Sequence, residues 1–541
     1  MRHRPKEERA MAALAKQTEK PTRRPARRAA GAGGKLVRPR FAFAAPGLVA
    51  PAALAAAARQ LTGSLREGAA SETAYDTAVV SRLRSARDPG QPAFPATVTW
   101  LRRHQHADGS WGGRIETAHD RLVGTLAALV RLAELPDEWA RPAVRAGAAY
   151  VWRHAQDWRD QPHETVAFEL LVPALLDEAR RLDLPLPYDC FAPVLALRDE
   201  KLRRIPFDAL YAQPTTLVHS LEFLGREVDA ERVCRLRGQN GSYGNSPSAT
   251  AYVLAHARDE RAEGYLRRAL DVSLNGGAPT IYPFEIFERA WVLYNLAHAG
   301  GEAAGAAHLR YLAESIGAGG VGMARGGLVP DCDDTAMALI ILARAGHTVD
   351  LDLLRPFEAE GWFSCFPYER NTSISVNARV LEALNVGAAP GDTGHAPRVA
   401  KVLRYLRAQR LDGRYWQDKW HVSPYYATAQ VAFAAAGSAD DLVAATRGWL
   451  LETQRPDGSW GRYGGTCEET AYAMQALLTL APAHDHVAGP ALARGATYLS
   501  ERFADTDYSE LWIGKGLYTP YAIVRSAVLS ALLLYHRARR P

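Results

Sequence analysis

Apolar residues along this chain recur at the spacing of helices rather than strands. In the run Tyr472–Leu480, Met474, Leu477 and Leu478 fall at i, i+3 and i+4, and Leu122–Leu135 repeats the pattern. Such a stripe is one helix face that must be buried. Strict alternation, the mark of a half-buried strand, is scarce. A polar turn ending in an aromatic residue stands before several of these runs. Gln105-His-Ala-Asp-Gly109-Ser-Trp111-Gly112 and Gln454-Arg-Pro-Asp-Gly458-Ser-Trp460-Gly461 are near copies. Gln409-Arg-Leu-Asp-Gly413-Arg-Tyr415-Trp416 is a third, and Gln239-Asn-Gly241-Ser-Tyr243-Gly244 a shorter fourth. The copies at Gln409 and Gln454 start 45 residues apart, a period that suits a helical hairpin. The Asp-Gly turn ends one element, and Gln and Trp can tie neighbouring turns by hydrogen bonds and ring packing. The expected fold is all-α, with hairpins stacked so that each buries what its neighbour leaves exposed. Two bodies of repeats are expected, 71–274 and 275–541, and the helix-like stretch Ala50–Glu67 fits either.

Composition narrows the function. The 541 residues suffice for two or three domains and a large core. No apolar run reaches 18 residues, so no membrane-spanning helix is expected. Five cysteines (Cys190, Cys234, Cys332, Cys365, Cys467) show no C-x-x-C spacing, which argues against a disulfide framework and a cysteine zinc site. A reducing, cytoplasmic compartment is expected. The formal charge of +6 is misleading: residues 1–40 carry 13 Lys or Arg against three Glu, so the rest of the chain is mildly acidic. The segment 1–45 is expected to be a disordered basic tail. It has no continuous apolar stretch and does not read as a secretory signal. Without interleaved aromatics it does not read as a nucleic-acid module.

The strongest chemical signal is Val329-Pro330-Asp331-Cys332-Asp333-Asp334-Thr335-Ala336, which places three carboxyls within four residues before an apolar run. Carboxyls this close cannot all ionise cheaply away from water, so at least one should stay protonated near neutral pH. A neutral carboxyl in an apolar pocket can protonate a weak base such as a carbon–carbon double bond. The same residues also suit a helix start, with Asp333 or Asp334 as N-cap.

Taken together these motifs resemble the class II diterpene cyclases of the copalyl diphosphate synthase type, over roughly residues 46–535. Ser71-Glu-Thr-Ala-Tyr75-Asp76-Thr77-Ala78, Phe168-Glu169…Pro173-Ala-Leu-Leu176, Lys201-Leu-Arg-Arg-Ile-Pro206, Pro214…His219-Ser220-Leu221-Glu222, Ser246-Pro247-Ser248-Ala249-Thr250-Ala251, Asp418-Lys419-Trp420 and Leu511-Trp512-Ile513-Gly514-Lys515 occur in the family's order. The resemblance implies two α/α barrels, called β and γ, with γ (71–274) inserted after the first β helix (46–70) and the rest of β at 275–541. It implies a cavity between them and no class I domain, consistent with the lack of a D-D-x-x-D fit at Asp440-Asp441.

The resemblance also implies the chemistry. A linear prenyl diphosphate, usually geranylgeranyl diphosphate, is protonated at its terminal alkene and cyclised with the diphosphate retained. Asp333 resembles the proton donor, Asp331 and Asp334 its coupled neighbours, and Asn377 the residue that hydrogen-bonds it. His219 resembles one half of a His-Asn pair that ends the reaction in one branch, but Thr280 stands at the Asn position. Lys201 and Lys419 resemble diphosphate contacts, with Lys515 and Arg204 as weaker candidates. Mg2+ is the implied cofactor, and Asp157, Asp160 and Glu164 are its candidate ligands. A carbocation also calls for π faces, and Trp291, Trp362, Phe366, Trp416, Tyr425 and Trp512, with Phe363, Tyr368, Trp420 and Tyr426, are the cavity candidates. Farnesyl diphosphate, a squalene-type cyclase and a non-catalytic helical-repeat protein are the competing readings. The expected partners are a small prenyl diphosphate, with room for a downstream terpene synthase, and neither nucleic acid nor a stable membrane insertion.

Overall fold

Two closed rings of helices build this protein, seen in a computed structural model that describes residues 47–539 apart from 206, 213–214, 227, 274, 301–304, 328, 368, 390, 392 and 482–484. The basic tail at 1–45 lies outside the described residues. After α1 (Pro51–Ser64), the helices α2 (Ala74–Ser81), α3 (Ala118–Ala133) and α4 (Phe168–Arg181) pack in succession. The 3-10 segment Thr216–Leu224 follows on α4, and α5 (Pro247–His256) packs on that segment and back on α2, closing the first ring. The second ring runs through α6 (Glu285–His298), α7 (Cys332–Arg344), α8 (Ile374–Gly387), α9 (Pro424–Ala435), α10 (Cys467–Leu480) and α11 (Tyr521–Ala538), which returns to α6. Helix α1 packs on α11 and α6 and shares the second ring's apolar core through Leu54.

Ring membership follows from sequence. Every residue of α9 is buried, and α3 is buried continuously from His119 to Leu132, as a helix enclosed on all sides requires. Helices packed on the rings bury one face only; Ala140–His154 buries Ala143, Gly147, Ala148 and Val151. Two short antiparallel pairs join the segments between helices: β1 (Glu72–Thr73) with β2 (Ala278–Pro279), and β3 (Trp512–Ile513) with β4 (Leu517–Tyr518). No helix among the described residues is long and apolar enough to cross a membrane.

The repeated turns act as locks, each tied to a ring helix. Trp111 donates its indole N–H to Leu101 O at 2.8 Å, and its backbone N–H goes to Thr125 Oγ1 at 3.0 Å. Trp416 does the same with Leu406 O and Thr428, and Trp460 with Leu450 O and Thr470. Gln105 and Gln454 donate to Gly109 O and Gly458 O and to the next helix at Ala143 O and Ala491 O. The Tyr243 turn is held by Thr250. Two further locks are hidden in the sequence. Val321 N–H donates to Thr335 Oγ1 at 3.0 Å, and Phe363 N–H donates to Asn377 Oδ1 at 2.9 Å.

Candidate active site

The acidic segment starts α7. Asp331 is the N-cap: its Oδ1 accepts the Asp334 N–H at 2.8 Å. The cap is therefore Asp331, not Asp333 or Asp334. Asp331 and Asp334 stand at the N-cap-to-N3 spacing of a capping box, as do Thr73 and Asp76 on α2 and Thr466 and Glu469 on α10. Here both members are acids, each 2% exposed, and their carboxyls share a hydrogen bond. Burial pushes Asp331 up to about 7. Burial, reinforced by the Asp331 charge, raises Asp334 well above the usual carboxylate range. Burial and mutual repulsion thus favour a protonated form of this pair. Asp333, one position before Asp334, turns the other way and keeps 13% of its side chain open. Burial raises it, while Arg379 pulls against that rise.

Arg379 on α8 is the partner of Asp333. Its Nη1 donates to Asp333 Oδ1, its Nη2 to the Tyr426 hydroxyl, and its guanidinium lies 4.4 Å over the Trp291 ring. The expected contact from Asn377 to Asp333 is not made. The Asn377 side chain accepts from Phe363 N–H and donates to Phe363 O and Ser373 O, holding a turn as Thr125 or Thr470 does elsewhere. Asp418 is likewise occupied, capping α8 through Ser373, Ile374 and Ser375.

Asp331, Asp333 and Asp334 line a cavity of about 140 Å³. Its walls include Phe287, Phe366, Trp420, Trp512 and Tyr518, with His219 and Thr280 among its polar groups. Phe366 and Trp512 are therefore wall residues, and Trp291 lies just behind, 4.2 Å from Phe287. Three aromatic candidates belong elsewhere. Trp416 is fully buried in its repeat lock, Tyr425 stacks on Trp449 at 4.9 Å, and Trp362 is 36% exposed on the surface.

A belt of alternating charge reaches this cavity. Lys201 pairs with Glu169, and Glu169 shares a hydrogen bond with Glu164. Glu164 takes bonds from Arg370 and Asn371. Lys419 donates to Asn371 O and Glu369 and lies 4.6 Å from the ring of the wall residue Trp420. Burial and the neighbouring Glu169 raise Glu164, while Lys201 overcomes burial and lowers Glu169. Asp157 stands apart in a surface bond to His154, with 53% of its side chain exposed; the Asp160 side chain lies outside the described residues. Arg204 is 71% exposed and paired with Glu200.

Lys515 is not a diphosphate contact. It is fully buried, and its three ammonium donors go to Glu222, Ser246 and Ser248, each at 2.7 Å, with Asp76 at 4.0 Å. Four of the motifs read from the sequence meet at this one ammonium, which rivets the second ring to the first.

A family model for the squalene-hopene cyclase C-terminal domain matches residues 370–523. The type B diterpene cyclase of Mycobacterium tuberculosis is 36% identical over 487 residues, covering 86% of this chain and 95% of its own. The chain belongs to the class II diterpene cyclases. Among solved structures, the ent-copalyl diphosphate synthase from Streptomyces platensis matches with a TM-score of 0.76 at 32% identity, over 90% of this chain and 100% of that one. The ent-copalyl diphosphate synthase from Arabidopsis thaliana, in complex with (S)-15-aza-14,15-dihydrogeranylgeranyl thiolodiphosphate, matches with a TM-score of 0.68 at 27% identity, over 89% of this chain and 63% of that one.

In this cyclase His219 lines the cavity and bonds Gly244 O through Nδ1 at 2.8 Å. A carbonyl only accepts, so Nδ1 carries the proton and Nε2 keeps its lone pair. Burial, with Lys515 adding, depresses the ring to about 3, so it stays neutral. Thr280 is tied back to the Lys515 backbone N–H. Arg379, Phe287, Tyr518, Arg370 and Glu369 escaped the sequence reading. Arg379 lies two residues after Asn377 and so faces a different side of α8.

Proposed function

We propose that the cyclase takes geranylgeranyl diphosphate, protonates its terminal alkene from Asp333 and closes two rings with the diphosphate retained. The observation that carries this is the acid triad opening into an apolar, aromatic-walled cavity. The Asp331–Asp334 pair holds its proton within one residue of Asp333. Arg379 lies beside the carboxylate that proton transfer leaves behind, so the charge separated in the step is compensated on the enzyme's side. The walls of Phe366, Trp420 and Trp512 offer π faces to the cation and no nucleophile. The C20 chain is supported by the names of the relatives and by the geranylgeranyl analogue in the Arabidopsis complex.

The diphosphate is assigned to the Lys201, Arg370 and Lys419 belt. Magnesium is assigned beside the diphosphate to Glu164 and Glu169, since Mg2+ commonly uses one or two carboxylates with substrate phosphates; among the described residues no cluster of three metal-ligating side chains occurs. When bound it would neutralise diphosphate charge. His219 Nε2, the free base on the wall, is the candidate for the terminating deprotonation. A cytoplasmic location accords with five free cysteines.

The test is incubation with geranylgeranyl and farnesyl diphosphates separately, then phosphatase and mass spectrometry of the alcohols. A bicyclic C20 alcohol is expected. A C15 product alone would move the reading to farnesyl diphosphate, and uncyclised alcohols from both would end it. Asp333→Asn should lower turnover by about 10²–10⁴-fold, the range of a general acid, with substrate binding retained.

A further inference from the structure

Behind the cavity wall lies a carboxyl group that the proposed proton chemistry does not use. Glu468 is the second residue of α10, as Asp333 is of α7, so the two ring helices present acids from the same turn. Glu468 is 2% exposed. Its Oε1 accepts from the Trp512 indole N–H at 2.8 Å and from His421 Nε2 at 3.2 Å. The proton on His421 is located by geometry: Ser423 N–H donates to its Nδ1 at 3.0 Å, so Nδ1 is the acceptor and Nε2–H the donor. The imidazole is therefore neutral. Two N–H donors thus converge on one carboxyl oxygen, an arrangement that stabilises negative charge there. Its second oxygen, Oε2, is buried with no hydrogen-bond partner. Among the described residues no Lys or Arg pairs with Glu468; its one ion-pair contact is that neutral histidine. A buried anion without a counter-ion is costly.

Trp512 connects this anion to the reaction space. Its ring lines the cavity and is held edge-on by His421 at 5.1 Å, Tyr426 at 4.9 Å and Phe287 at 5.5 Å. An indole whose N–H donates to a carboxylate is more electron-rich over its face, and a richer face holds a cation more strongly.

We propose that Glu468 is a positioning residue that acts through Trp512: it fixes the indole and charges its face, so that the missing counter-ion of Glu468 is the substrate carbocation formed during turnover. At the acid end, Arg379 compensates the carboxylate left by proton transfer; at Trp512, Glu468 draws the cation forward. This inference rests on the cyclisation reading above.

Glu468→Gln tests it. The amide keeps an oxygen for Trp512 and His421 and removes the charge. With geranylgeranyl diphosphate, the variant is expected to fold with a near wild-type melting temperature, to bind substrate with unchanged affinity, and to show a roughly 3- to 30-fold lower kcat, the scale of one cation–π contact. Its products should shift toward monocyclic diphosphates, formed by proton loss from the first cation before the second closure and read as alcohols after phosphatase. Trp512→Phe removes the indole N–H, so adding Glu468→Gln in that background should change neither kcat nor the product ratio further. A folded Glu468→Gln variant with wild-type kcat and products overturns the inference, as does full additivity with Trp512→Phe. If wild-type enzyme itself yields no cyclic product, the cyclisation reading fails instead. Should Glu468→Gln not fold, Trp512→Phe alone decides: unchanged products there also overturn the inference.

Discussion

Arg379 on α8 donates to Asp333 on α7 while its guanidinium lies 4.4 Å over Trp291 on α6. Three consecutive members of the ring thus meet at the acid. Burial works against the charge on Arg379, but Asp333 more than offsets that cost and holds the guanidinium protonated. The pairing cuts both ways. It lowers the population of protonated Asp333 and makes the protonated form a stronger acid.

Arg379→Met should therefore weaken the acid and keep it protonated to higher pH. The expected result is a kcat lower by about 10²–10³-fold, as for loss of one preorganised charge partner, with the alkaline limb of the kcat–pH profile moved upward. An unmoved limb in a folded variant would assign Arg379 to packing alone.

Asn377→Thr should be nearly silent. Thr125, Thr428 and Thr470 hold the equivalent turns with one hydroxyl each, so threonine can hold Phe363. Asn377→Leu leaves a buried N–H of Phe363 unpaired and should cost about 1–3 kcal/mol in chemical denaturation. Loss of turnover in a folded Asn377→Thr enzyme would restore a direct role for this amide.

Lys515→Met should act on stability rather than on substrate affinity. It strands Glu222 and Asp76 in a buried site, and removing one partner of such a group costs about 3–5 kcal/mol. The melting temperature should drop, while KM of the folded fraction stays at the wild-type value. A raised KM with unchanged melting would return Lys515 to the diphosphate.

Stability should fall as pH rises through the acidic range. Asp331 moves from an ordinary 3.8 to about 7 on folding. Between those values the unfolded chain has released this proton and the folded chain has kept it, so the unfolded state binds fewer protons and stability declines with pH. Asp331→Asn can still cap α7 and removes the titration. Melting curves from pH 4 to 7 should be flatter for the variant; equal slopes would contradict the buried, protonated state of Asp331.

Much of the fold was legible because the ring helices carry continuous apolar runs and the turns repeat their Gln and Trp. The triad was legible because a helix start needs only one capping acid, and three acids in four residues ahead of an apolar run go well beyond that need. What escaped were contacts made between helices. Aromatic density near the motifs could not separate Trp416, a lock inside its own repeat, from Trp512, a cavity wall. Arg379 reads in sequence as an ordinary helix charge, since nothing local shows that its neighbours across the ring are Asp333 and Trp291. Lys515 misled for the opposite reason: its motif is shared with the family, but its ammonium faces Glu222 rather than the solvent a diphosphate would arrive from.

Helix α11 closes the second ring by packing on both α10 and α6, and the wall residues Trp512 and Tyr518 immediately precede it. The ring that carries the acid segment is therefore closed only once this helix packs in place. The acid segment and the wall residues before α11 thus depend on contacts made by the helix furthest along the chain in this ring.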